Sequence, residues 1–94
     1  MIYKLEFLED AFKEWNKLGS TIREQFKNKL AERLKNPVIR SARLSGAKNR
    51  YKIKLSSAGY RLVYEVNHET ITVVVVAVGK RERNKVYKLA AKRL

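Results

Sequence analysis

Apolar residues recur on two different periods along the chain, and the switches between periods mark its elements. Residues 2 to 8 alternate, with Tyr3, Leu5 and Phe7 on one side, the pattern of a half-buried strand. Phe12, Trp15 and Leu18 then step at helical spacing as far as Gly19, the residue expected to stop a first helix. A second helix follows at once. Thr21 with Glu24 three residues on reads as a capping box, and Ile22, Phe26, Leu30 and Leu34 form an apolar stripe that ends at Asn36-Pro37. Together they predict a helical hairpin. Residues 50 to 56, 60 to 66 and 71 to 78 carry strand patterning, parted by turn residues at Ser57-Ala58-Gly59 and Asn67-His68-Glu69. A basic helix from about Glu82 closes the chain. The fold class read from this order is α+β: an N-terminal strand, a two-helix hairpin, a three-stranded antiparallel sheet and a C-terminal helix.

The turn after Leu55 fixes a register. Leu55 opposite Tyr60 sets Ile53 opposite Leu62 and Tyr51 opposite Tyr64, six apolar residues on one face. The same register puts Lys54 opposite Arg61, with Lys52 two residues along on the second face. Like charges directly opposite destabilise a sheet by roughly the 0.2 to 1 kcal/mol that a favourable pair contributes. Any one of these cations suits an ordinary solvated face. Three together point to a bound anion, and a phosphate between them would relieve the repulsion.

Composition sharpens that reading. The 94 residues include 22 Lys and Arg against nine Asp and Glu, a net charge of +13, so a polyanionic partner is expected. Residues 41 to 63 carry six cations and no acid, and residues 80 to 94 carry seven cations and one acid. Between these blocks runs the apolar strand ITVVVVAV, which brings them together if both flank one sheet. With 45% apolar residues, positions 1–94 suffice for one small domain with one core. The absence of cysteine and the single histidine leave no thiolate zinc site or histidine cluster, so no metal and no cofactor are expected. They fit a reducing, cytoplasmic setting. No run approaches the roughly 20 apolar residues of a membrane span, and MIYKLEFLED carries no export signal, so no membrane partner is expected either.

Further candidates lie beyond the apolar strand. Arg81 follows it in Gly79-Lys80-Arg81-Glu82-Arg83, at a strand end where a rigid backbone positions functional groups. Tyr87 has two readings: core, in a stripe with Ala90, Ala91 and Leu94, or a platform on which a base stacks. Arg50, Lys80, Arg83 and Lys85 add charge nearby as candidate contacts to a polyanion. Familiar catalysts are scarce. His68 sits in a turn, the four glycines are isolated, and Glu9, Asp10 and Glu14 are explained by the dipole of the first helix.

These blocks carry a resemblance. FKEWNKLGS, YKIKL, GYRLVYEV and VGKRERNKVY resemble, in order and spacing, the RelE toxins of bacterial toxin-antitoxin pairs. The resemblance implies a fold related to microbial ribonucleases. It further implies a metal-independent endoribonuclease that cuts mRNA in the ribosomal A site and so inhibits translation, with a RelB-like antitoxin as its inhibitor. The other implied partners are the ribosome, at the 30S A site with its 16S rRNA, and the message, with Arg50, Lys80, Arg83 and Lys85 as candidate RNA or ribosome contacts. Carried over position by position, it makes Lys54 the general base on a ribose 2′-hydroxyl and Lys52 and Arg61 the stabilisers of the transition state. Arg81 becomes the stabiliser or acid at the leaving group and Tyr87 the stacking group. Lysine and arginine hold their protons well above neutral pH, so electrostatic stabilisation is expected to outweigh proton transfer. Two other classes fit the charge: a non-enzymatic, ParE-like toxin that binds a protein such as gyrase, and a simple RNA-binding module. The first does not require the full set of Lys52, Lys54, Arg61 and Arg81, and the second has no use for Lys54 facing Arg61.

Overall fold

The computed structural model describes residues 2–80 and 85–93. In chain order these form β1 (Lys4–Phe7), α1 (Glu9–Asn16), α2 (Ser20–Lys35), a single 3-10 turn (Arg40–Ala42), β2 (Arg50–Leu55), β3 (Tyr60–Asn67), β4 (Thr72–Lys80) and α3 (Lys85–Lys92). The start placed near Glu82 for the last helix lies outside the described residues.

The sheet has four strands in the order β1-β4-β3-β2. β2, β3 and β4 are antiparallel neighbours, as the patterning requires, and β1 joins them parallel to β4. Four strands thus replace a separate N-terminal strand beside a sheet of three. The cause is long-range: the N–H of Lys4 donates to the carbonyl of Ile71 (2.9 Å), and Leu8 N–H to Val75 (3.0 Å). Both turns behave as their residues dictate. Gly59 takes a positive φ of 71° after β2, and the Asn67 side chain accepts from the N–H groups of Glu69 and Thr70 after β3.

The helical hairpin covers one face of the sheet. Ala11, Trp15, Leu18, Phe26 and Leu30 pack there on Tyr51, Ile53, Leu55, Leu62, Tyr64, Val66, Val73, Val75 and Val78, with Ile22, Leu34 and Tyr60 at the margin. Phe12, placed with Trp15 by spacing, is instead 49% exposed and touches Phe7 edge-on. Leu5 is also exposed, because β1 is an edge strand of four residues. Gly19 does not end α1, which stops at Asn16. It begins α2 in an extended conformation, which puts Thr21 inside the helix and leaves no side-chain cap.

The second face is not open. α3 lies across β3 and β4, with Val86 and Ala90 buried on Val63, Val76 and Ala77. Val76 and Ala77 are consecutive yet share that face, because the pairing with β3 shifts by one residue between Val63 and Tyr64. A Cβ on Gly79 would stand 3.3 Å from Val86 Cγ2, so this glycine lets α3 approach the sheet closely.

Candidate active site

Three cations alternate along β2 on the face that α3 partly covers, and their register partners set each apart. Arg50 lies opposite Glu65, Lys52 opposite Val63 and Lys54 opposite Arg61. The register read from the turn is the observed one. Lys54 is exposed, Lys52 half-buried and Arg61 buried at 6% exposure. A guanidinium at that depth usually has a carboxylate beside it. Arg61 donates from Nη1 to the carbonyl of Tyr60 (2.9 Å), and no carboxylate lies within ion-pair distance of it among the described residues. On the same rung Arg61 also faces Gly79, which has no side chain to shield it.

Arg50 has the opposite surroundings. Its Nε donates to Glu65 Oε2 (3.0 Å), and Nη1 and Nη2 donate to the carbonyls of Ala90 (2.5 Å) and Arg93 (2.6 Å) at the end of α3. At 7% exposure it is occupied in capping that helix, so the RNA contact read for it from sequence gives way to a structural role. Lys80 also stands apart from the cluster: its register partner is Tyr60, which packs on the hairpin side of the sheet, away from Arg61. Lys80 and Lys85 line a cleft of about 240 Å³ with Glu14, Gly79 and Val86. Arg81 and Arg83 lie outside the described residues.

Tyr87 is half-buried. Its ring packs against the cluster of Val63, Val76 and Val86 and also lines a cleft of about 440 Å³ with residues 44–48, Arg50 and Glu65. Both readings of this residue therefore describe part of it. The buried member of the α3 stripe is Ala90; Ala91 is exposed, and Leu94 is outside the described residues.

Residues that sequence reading passed over hold this face in place. Arg33 of α2 donates from Nη1 to the carbonyl of Lys52 (3.3 Å) and to Tyr64 Oη (2.9 Å), and its guanidinium lies 5.7 Å from the Tyr64 ring centre. Tyr64 donates in turn to the Pro37 carbonyl (2.7 Å). Burial pushes the Tyr64 phenol above its ordinary value of 10.0, against the pull of the Arg33 hydrogen bond and charge. Beyond the end of β1, Glu14 covers the bare edge of β4. Its Oε1 accepts from Val78 N–H (3.1 Å), and both its oxygens accept from Arg93 (2.9 and 3.0 Å), which also donates to the Val76 carbonyl (2.8 Å). Held by Glu14, the Arg93 guanidinium binds its proton more firmly than a free one. The helix-dipole account thus fails for Glu14, whose work is tertiary. Nothing local in the sequence links residues 79 positions apart.

Such a face can bind and stabilise a phosphate in the negative form that precedes bond breaking. Among the described residues no three His, Cys, Asp or Glu side chains converge as metal ligands would. No helix there is long and apolar enough to cross a membrane.

Residues 5–85 match the family described as the ParE toxin of type II toxin-antitoxin system, parDE. Over 94 residues the chain is 56% identical to the mRNA interferase toxin RelE of Escherichia coli (strain K12), covering all of this chain and 99% of that one. A mutant of the E. coli RelE toxin in its free state superposes with a TM-score of 0.91 at 54% identity, over 98% of this chain and 97% of the other. The toxin in the intact E. coli RelBE toxin-antitoxin complex gives 0.83 at 57% identity, over 86% and 99%.

Proposed function

The chain belongs to the ParE toxin family of type II toxin-antitoxin systems, among its RelE members, and from that membership we propose how its cationic face cuts RNA. It is a toxin and an mRNA interferase, an endoribonuclease. The finer reading is that it acts on mRNA held in the ribosomal A site and stops translation there.

Lys54 takes the proton of a ribose 2′-hydroxyl, whose oxygen attacks the adjacent phosphorus. The bond from phosphorus to the 5′ oxygen of the next nucleotide breaks, leaving a 2′,3′-cyclic phosphate and a 5′-hydroxyl that gains a proton. Lys52 and Arg61 stabilise the negative phosphorane, Arg81 serves the leaving oxygen, and Tyr87 stacks on a base beside the cut. Lysine side chains mostly carry their proton at neutral pH and so are poor bases there, which makes most of the acceleration electrostatic. Orientation must come from outside, and the ribosome supplies it. A RelB-like antitoxin, such as accompanies the E. coli relative, is the proposed inhibitor.

The observation that carries this reading is Arg61, buried with no carboxylate in ion-pair reach among the described residues and set directly across from Lys54. Such a charge is costly to the fold and useful to a passing phosphate. Mapping 5′ ends on a translated message, with and without the protein, tests it: cuts should cluster in A-site codons, and the purified protein should cleave ribosome-bound message far faster than free RNA. Equal rates on both would overturn the ribosome dependence.

A further inference from the structure

Lys54 borders more than the pair with Arg61. Beyond it, at the outer edge of β2, a groove of about 680 Å³ opens between α2 and the β2–β3 turn, lined by Gln25, Asn28, Lys29, Lys54, Ser56 and Ser57, with Leu55 as its apolar floor. Gln25, Asn28 and Lys29 fall at i, i+3 and i+4 on α2, which turns all three to one side of that helix. All three are exposed, as are both serines. No carboxylate lines the groove, and neither Lys29 nor Lys54 lies within ion-pair distance of one among the described residues.

The donor set has a recognisable chemistry. Two lysines present charge to phosphate oxygens, two hydroxyls donate or accept, and two carboxamides each offer both a donor and an acceptor. Carboxamides in this role can match a base edge or a ribose 2′-hydroxyl, the group that separates RNA from DNA. We infer that this groove is a second RNA subsite, which takes a messenger nucleotide just past the cut codon and holds the strand so that its scissile phosphate stays on Lys54 and Arg61. The inference rests on the RNA-cutting reading of the face and extends it to residues outside the reacting set. Gln25, Asn28 and Lys29 are positioning residues: they touch the flanking nucleotide and leave the chemistry to others.

The test uses the full chain with substitutions Gln25→Ala, Asn28→Ala and Lys29→Ala, alone and together. Because these side chains are exposed, melting temperatures should stay at the wild-type value. On ribosomes programmed with a long message, the triple variant should need about tenfold more substrate for half-maximal rate, the size of one lost charged hydrogen bond, with kcat unchanged. On a message trimmed to end at the cut codon, wild type should suffer the same penalty and the triple variant no further one. A penalty that persists in full on the trimmed message would assign the groove to ribosomal RNA and overturn the proposal, as would a fall in kcat or no effect at all. Binding of a short RNA with a 2′-deoxy sugar at the cut, which cannot be cleaved, separates this failure from failure of the enzymatic reading. Amide shifts at residues 25, 28, 29 and 57 should accompany its binding to the free protein, and their absence would sink the subsite whether or not the protein cuts.

Discussion

At the scale of single residues, the active face is built against its own stability. Lys54 and Arg61 face each other across one rung, and no carboxylate among the described residues pairs with either. Lys54→Glu should therefore raise unfolding free energy by up to about 1 kcal/mol, the size of a cross-strand charge pair, while cleavage falls by at least ~10²-fold. Paired denaturant titrations and single-turnover rates check this, and a destabilised variant would mean the repulsion is not real. Tyr87 divides its ring between core and cleft. Tyr87→Ala should cost less than the roughly 3 kcal/mol at which removal of a fully buried ring begins, yet slow cleavage more than tenfold, whereas Tyr87→Phe should keep most of both. A melt showing a larger loss with per-molecule activity intact would take the residue out of the site. Tyr64 supplies a pH signature. Its folded-state phenol titrates above its unfolded value near 10, so between those two values the unfolded chain loses a proton that the folded chain keeps. Stability is fully present below about pH 10 and declines as pH rises beyond it. Tyr64→Phe, which strands the Pro37 carbonyl and leaves Arg33 Nη1 only the Lys52 carbonyl, should cost about 1 to 3 kcal/mol at neutral pH and flatten that alkaline decline. Urea titrations at pH 8 and pH 11 measure both effects.

At the scale of elements, the outcome turns on what holds α3 down. Only two of its residues, Val86 and Ala90, are buried hydrophobics, and Ala90 buries little surface. Polar links do the rest: Arg50 caps its last carbonyls, and Arg93, the residue that follows Lys92, donates to Glu14 and to the edge of β4. Glu14→Ala removes a charged partner from both Arg93 and Val78, and should lower stability by about 2 kcal/mol, or roughly 10 °C in Tm. Glu14→Gln should recover part of this, since its amide oxygen still accepts from Val78. A silent Glu14→Ala melt would show that the pair contributes nothing net. The elements themselves were legible because alternation and helical spacing are local, and the β2–β3 register followed from one short turn. That register alone brings Lys54 and Arg61 together. What stayed hidden was long-range. No local pattern says that β1 will lie parallel to β4, that a cation such as Arg50 will be consumed by a helix end, or that Arg33, one residue before the apolar Leu34, will reach the Lys52 carbonyl. Phe12 misled for the related reason that spacing predicts a face but cannot say how far the sheet beneath it extends.

At the scale of the whole molecule, charge governs encounters. With +13 spread over 94 residues, the toxin should meet an acidic antitoxin faster than uncharged surfaces would, and the association rate should drop at least tenfold between about 0.02 and 0.5 M salt. Stopped-flow mixing at the two ionic strengths decides it, and a rate indifferent to salt would leave apolar contact as the guide. The parallel pairing of β1 with β4 has a consequence of another kind, in the order of manufacture. Chains are made from the N-terminus, and a strand spanning residues 4 to 7 cannot find its neighbour until residues 72 to 75 exist. The helix that roofs the cationic face waits longer still, because Arg50 needs the carbonyls of residues 90 and 93. Throughout most of its own translation the protein is therefore a blade without a hilt: its cations are already strung along the chain, but the sheet that sets them in line closes only after residue 75 has left the exit tunnel. While it is being made, the toxin lacks the edge it will later turn on RNA.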